Sequence, residues 1–148
     1  AHPFLNLAHE GDLDGLKESL LVGDVDINFQ EKGVTALHLA CSRGHLHVVK
    51  YLCSEPGVKV NCASDAACKD NGLDAATPIG LASALGFPLV VETLIDAAAD
   101  PNARMARGVS PLTAATTSGH LDVVEVLVTR GADVNQVEDD GWSALMLA

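Results

Sequence analysis

Apolar residues recur at helical spacing in several short stretches of the chain. Leu46, Val49, Leu52 and Cys53 fall on one helix face, and Leu121, Val124, Leu127 and Val128 fall on another. Each stretch follows a shorter one, such as Ala36 to Arg43, that opens on a hydroxyl residue: Thr35, Thr77, Ser110 or Ser143. A Ser or Thr at that position can accept a hydrogen bond from a helical N–H that has no partner within the helix. Pro78 and Pro111 come next, at the first helical position, where the missing N–H costs nothing, and Pro88 opens a second-type helix in the same way. Gly44 ends the helix that begins at Ala36. Gly131-Ala132-Asp133-Val134-Asn135 ends a later one, with glycine suited to a left-handed C-terminal turn. The pattern predicts an all-α chain of paired short helices. None is long enough to be stable alone, so the pairs must bury a shared core.

The pairs repeat. Gly11, Gly44, Gly86 and Gly119, each at a helix junction, are spaced by 33, 42 and 33 residues. Asn28, Asn61, Asn102 and Asn135 are spaced by 33, 41 and 33. Gly33-Val34-Thr35, Gly108-Val109-Ser110 and Gly141-Trp142-Ser143 align as a third marker, and Ser110 to Ser143 is again 33 residues. Three markers thus give one period, with one insertion in the same place.

Two segments carry a resemblance at this point. The first is Gly33-Val34-Thr35-Ala36-Leu37-His38-Leu39-Ala40, followed by Gly44-His45-Leu46-His47-Val48-Val49 and Val60-Asn61. The second runs from Gly108-Val109-Ser110-Pro111-Leu112-Thr113-Ala114-Ala115 through Gly119-His120-Leu121-Asp122-Val123-Val124-Glu125 to Gly131-Ala132-Asp133-Val134-Asn135. Both resemble an ankyrin repeat, and the likeness covers nearly the whole chain. It implies an all-α ankyrin-repeat solenoid: antiparallel helix pairs, a β-turn finger projecting before each pair, and a slightly concave binding surface. One domain over 1–148 is expected, with a partial repeat 1–28, a repeat 29–61, a repeat with an inserted loop 62–102, a repeat 103–135 and a partial repeat 136–148. The resemblance also implies that Asn28, Asn61 and Asn135 tie the backbone of the fingers.

The chain departs from the family pattern at several points. Thr-Pro-Leu-His is nowhere complete: Ala36 follows Thr35, and Gly80 and Thr113 stand where His38 stands. Any bond that His38 makes between repeats is therefore expected to be absent from the later ones. The unit holding Thr77 carries about eight or nine extra residues, roughly Cys62 to Ala76. The first repeat lacks its finger and the last stops before its second helix. A fragment of a longer protein is expected on these grounds.

Composition narrows the function. Aromatic residues are 3% of the chain, so the core must be aliphatic and thin, which suits stacked layers. The net charge of −11 disfavours nucleic acid and anionic membrane as partners. No run of about 18 apolar residues is available to span a membrane, and no signal peptide is visible. Cys41, Cys53, Cys62 and Cys68 show no Cys-x-x-Cys spacing and no zinc-finger histidine partner, and Cys41 and Cys53 fall in apolar-periodic segments. A reducing, intracellular location, cytoplasmic or nuclear, is expected.

Candidate chemistry is sparse. His45 and His47 lie near Cys53, but His45 and His120 occupy one repeated position, as structural residues do. No metal and no cofactor is expected. The Ser, Cys and His residues are mostly accounted for by the repeat, and no glycine-rich loop precedes a helix as a phosphate cradle would, so no enzymatic activity is expected. Asp70, Asn71 and Asp74 in the insertion do not have EF-hand spacing, and Asp70-Asn71-Gly72 reads as a turn. The insertion is either a surface loop or an elongated finger that touches a partner.

The resemblance implies a monomeric, non-catalytic scaffold that binds a protein through its finger tips and the ends of its inner helices. Those positions hold Glu31, Lys32, Val34, Arg43, Leu73, Leu85, Met105, Arg107, Val109, Asp140 and Trp142. Val34, Val109 and Trp142 share one slot and are expected to form a row, with Leu85 beside it. The alternative is a regulatory or substrate-recruiting region of a larger enzyme.

Overall fold

The computed structural model describes residues 2–64 and 75–147. Among these residues, four helix pairs and a final single helix follow in order. They are α1 (Pro3–Glu10) with α2 (Leu13–Val22), α3 (Ala36–Arg43) with α4 (Leu46–Ser54), α5 (Pro78–Leu85) with α6 (Pro88–Asp96), α7 (Pro111–Thr117) with α8 (Leu121–Thr129), and α9 (Ala144–Leu147). The odd-numbered helices stack on one another in one row, and α2, α4, α6 and α8 stack in a second row behind it.

The caps follow from the sequence. Thr35, Thr77 and Ser110 accept from the N–H groups of His38, Gly80 and Thr113, and Pro78 and Pro111 occupy the first turn. Small residues allow the inner row to approach closely. Ala8, Ala40, Ala82 and Ala115 recur once per layer and each is 0% exposed. Leu16, Val49, Leu52, Val91, Leu94 and Leu127 fill the space between the two rows.

Two contacts join the layers in register. The first sets a ring on a glycine. Gly11, Gly44 and Gly86 adopt left-handed backbone where an inner helix ends, and His45, Phe87 and His120 of the following layer lie against them. The histidines add a bond: the His45 Nε2–H donates to the His9 carbonyl (2.9 Å) and that of His120 to the Ala84 carbonyl (3.1 Å). The second contact is an asparagine ladder. Asn28 donates to the Gly57 carbonyl (2.7 Å) and accepts from the Lys59 N–H (2.8 Å). Asn61 accepts from the Asp100 N–H (2.8 Å), and Asn102 from the Asp133 N–H (2.7 Å). These asparagines therefore tie the corresponding loop of the next layer rather than a finger. Asn135, at the end of the series, is exposed, and its side chain makes no hydrogen bond among the described residues.

The fingers precede α3, α5, α7 and α9. In the first, β1 (Gln30–Glu31) pairs antiparallel with β2 (Val34–Thr35) across a Lys32-Gly33 turn. Both turn residues have positive φ, 54° and 75°, as a tight two-residue hairpin requires. In the second, the Ser64 N–H donates to the Ala76 carbonyl (2.9 Å). Residues 65–74 lie outside the described residues. Leu73, Cys68 and the Asp70, Asn71 and Asp74 set fall there. In the third, the Met105 N–H donates to the Val109 carbonyl (2.8 Å) across a 3-10 turn at Ala106–Gly108. In the fourth, the Glu138 N–H donates to the Trp142 carbonyl (2.7 Å).

Candidate binding groove

Ser110, Thr113 and Pro111 start α7 so that its first turn is locked. The Ser110 N–H donates to the Thr113 hydroxyl, and the Thr113 N–H to the Ser110 hydroxyl. This reciprocal cap fixes the third finger on α7. The fourth finger is fixed to the third by a bond from the Asp139 N–H to the Arg107 carbonyl (3.0 Å). Between the two fingers and the inner helices lies a groove of about 440 Å³. Met105, Arg107, Val109, Asp140 and Trp142, five of the residues chosen from sequence, line it, together with Ala84, Ala114, Thr117, Ser118 and Glu138. The Trp142 indole is the large apolar surface of the site and remains 49% exposed. Among the described residues, Arg107, Glu138 and Asp140 form no ion pair; the pairs found are those of Arg130, just after α8, with Glu92 and Asp96 of α6.

Met105 and the expected residues outside the groove are placed differently from the sequence reading. Met105 was expected at the surface of a finger but is 7% exposed. Its side chain occupies space left by Gly80, where a Cβ would come within 2.3 Å of the Met105 sulfur. Gly80 stands where His38 stands in the preceding layer, so the methionine fills the place of the absent imidazole and forms the groove floor. The expected row is also broken: Ala76 stands between Val34 and Val109 in the same slot and is 1% exposed. Val34 is half-buried in the first finger, away from the groove. Leu85 is 43% exposed at the end of α5 but does not line the groove, where Ala84 takes its expected place. Glu31 accepts from the His2 N–H (3.2 Å), and Arg43 donates from Nε to the His9 ring (2.9 Å). Both thus join the first two layers to each other. Lys32 is exposed at the tip of the first finger.

His38 does bridge repeats. Its ring accepts from the Thr35 N–H at Nδ1 (3.2 Å) and donates from Nε2 to the Ala76 carbonyl (3.0 Å). Burial lowers its pKa, and the neutral ring satisfies both bonds. Thr113 turns back to the Ser110 carbonyl instead (3.0 Å). Burial holds the Cys41 thiol well above its ordinary range, with Cys53 nearby adding to the effect, and pushes Cys53 up to about 11. Both therefore stay protonated at neutral pH and make poor nucleophiles. Among the described residues, no three His, Cys, Asp or Glu side chains come together as a metal site, and no helix is long and apolar enough to cross a membrane.

A second, larger groove of about 570 Å³ lies at the other side of the last layers, lined by Leu112, Leu121, Val124, Val128 and Leu145. Leu112 and Val124 fall 33 residues after Ile79 and Val91, both 0% exposed in the preceding layer. This groove is the end face of the stack, made of positions that an adjoining layer covers elsewhere. It carries no charged group among its lining residues.

Comparison with known proteins agrees with this architecture. A family model described as ankyrin repeats (3 copies) matches residues 4–105 and 79–148. The E3 ubiquitin-protein ligase KEG of Arabidopsis thaliana is 32% identical over 115 residues, 76% of this chain and 7% of that protein. The palmitoyltransferase AKR1 of Kluyveromyces lactis is 33% identical over 146 residues, 94% of this chain and 18% of that protein. The 26S proteasome non-ATPase regulatory subunit 10 of Rattus norvegicus is 45% identical over 62 residues, 41% of this chain and 26% of that protein. The chain thus spans about a quarter or less of the length of these relatives. Repeated helix pairs, capped fingers and a matching family model over most of the sequence together make this chain a member of the ankyrin-repeat family.

Proposed function

We propose that this chain is a non-catalytic scaffold that binds a protein partner on its concave side, at the groove between the third and fourth fingers. One observation carries the reading: the largest exposed aromatic side chain, Trp142, stands over a preformed apolar floor with charges at its margin. A half-exposed indole in such a setting is a typical binding anchor, worth roughly 2 kcal/mol or more. An apolar centre with a charged rim is the usual makeup of a protein interface. An intracellular location fits the free, burial-suppressed thiols of Cys41 and Cys53.

A second reading has support of its own. The E3 ligase and the palmitoyltransferase are enzymes by name, and this chain matches only a small part of each. As a region of a larger enzyme, the same groove would recruit a substrate or regulate a neighbouring domain. Both readings assign binding to the groove and chemistry elsewhere.

The test uses a partner captured with the chain and then purified. Trp142→Ala and Val109→Asp are expected to weaken its binding, with the helical circular dichroism unchanged. Lys50→Glu and Glu125→Lys, both exposed on outer helices, are expected to do little. Normal binding by the groove variants, with loss in the outer-face variants, would move the site to the convex side.

A further inference from the structure

We infer that the groove between the third and fourth fingers takes a basic protein segment, with a lysine or arginine stem laid on Trp142 and its charged head held by Glu138 and Asp140. This inference rests on the reading of the concave side as the binding surface.

The charge balance is the first support. Glu138, Asp139 and Asp140 lie together on the fourth finger, and of the residues that line the groove Arg107, on the third, is the one cation. Among the described residues none of the four is in an ion pair, so the excess of negative charge is not neutralised within the fold. The whole chain, at −11, draws a cationic partner toward it from a distance.

The groove's shape is the second support. The carboxylates stand beside an apolar floor of Met105, Ala84 and Ala114, with Trp142 as one wall. A lysine or arginine side chain has the matching construction: an aliphatic stem that packs on apolar surface and a head that stays polar. The indole face attracts the cation, and the carboxylates accept charge-assisted hydrogen bonds from it. An acidic segment would meet carboxylates beside the indole, with Arg107 as the single counter-charge among the residues that line this groove. Arg107 instead suits a backbone carbonyl or an acidic residue flanking the basic one.

The groove is also set before binding. The Asp139 N–H to Arg107 carbonyl bond holds the two fingers at a fixed distance, and Asp139 packs against Gly108, where a Cβ would lie 2.6 Å from its Oδ1. A preformed site avoids the ordering cost that a flexible loop would incur on binding.

The probes are three synthetic peptides with the same leucines, alternating with lysine and arginine, with serine, or with glutamate. Trp142 is the sole tryptophan, so its emission reports occupancy of this groove directly. The basic peptide is expected to bind most tightly and to shift the emission. Replacing both Glu138 and Asp140 by lysine is expected to weaken it by about fivefold or more, and raised salt to weaken it further. Glu125→Lys on the outer face is expected to leave it unchanged. Equal binding of the serine peptide, or tighter binding of the glutamate peptide, with shifted emission would overturn the basic preference and leave the concave site standing. Binding of the basic peptide without an emission change, and unaffected by Glu138→Lys and Asp140→Lys, would overturn both. Failure of all three peptides to perturb Trp142 would likewise count against the groove itself.

Discussion

The ring-on-glycine contact between layers is tested by Gly86→Ala against Gly119→Ala. Both glycines follow the last turn of an inner helix in left-handed backbone, with φ of 83° and 77°. Alanine there costs about 1–2 kcal/mol for the backbone alone, and this cost is common to the two variants. Their surroundings differ. A Cβ at Gly86 would lie 2.5 Å from Nδ1 and 2.6 Å from Cε1 of His120, whereas at Gly119 nothing stands within 4 Å. His120 is not free to swing away, because its Nε2–H is bonded to the Ala84 carbonyl (3.1 Å). Relief of the clash must separate α8 from α6 or break that bond, an overpacking cost of about 1–3 kcal/mol. Gly119→Ala is therefore expected to destabilise by about 1–2 kcal/mol and Gly86→Ala by about 2–5 kcal/mol. Urea unfolding followed by circular dichroism measures both. Equal midpoints for the two variants would refute a layer contact made by the ring.

Three further outcomes follow from the same layers. Asn28→Ala removes two bonds to the next layer and should cost about 1–3 kcal/mol, whereas Asn135→Ala, which removes none among the described residues, should be near neutral in urea melts; the reverse order would contradict the ladder. His38 is held neutral in the fold, so the unfolded chain binds its proton more readily, and stability should fall as pH drops below about 6.5. His38→Gln should flatten that part of the stability–pH curve, and an unchanged slope would mean that the titration belongs to another group. Ala115→Leu adds volume at a position 0% exposed in the inner row and should destabilise by about 1–3 kcal/mol, with a neutral result contradicting the close approach of α5 and α7.

The helices and their caps were legible because their signals are local. A hydroxyl, a proline and a glycine at fixed offsets specify where a short helix starts and stops, whatever lies beyond it. Contacts between layers were legible only where the repeat stayed regular. The row through Val34, Val109 and Trp142 assumed the same surroundings at each step, and the small Ala76 breaks it. Met105 looked like a finger residue, yet Gly80, distant in sequence, opened the space that buries it. The exchange of histidine for glycine at that position was visible, but which side chain would fill the vacancy depends on stacking. Asn28 and Asn61 do tie a backbone segment, but the bonded loop belongs to the next layer and not to a finger, and Asn135, expected to act the same way, makes no side-chain hydrogen bond among the described residues. Glu138 was not among the positions chosen from sequence, although it lines the groove. Its place in the groove depends on the turn at Gly141 and the bridge between Val137 and Ser143.

Photocrosslinking reads directly whether a partner protein contacts the groove between the third and fourth fingers. A photoreactive amino acid is placed at position 118, in the wall of the groove, and, in a second variant, at position 125 on the outer face of the stack. Illumination of each variant bound to its purified partner then reports which side is in contact. A covalent adduct is expected from position 118 and none from position 125. An adduct from position 125 alone would place the partner on the convex side instead.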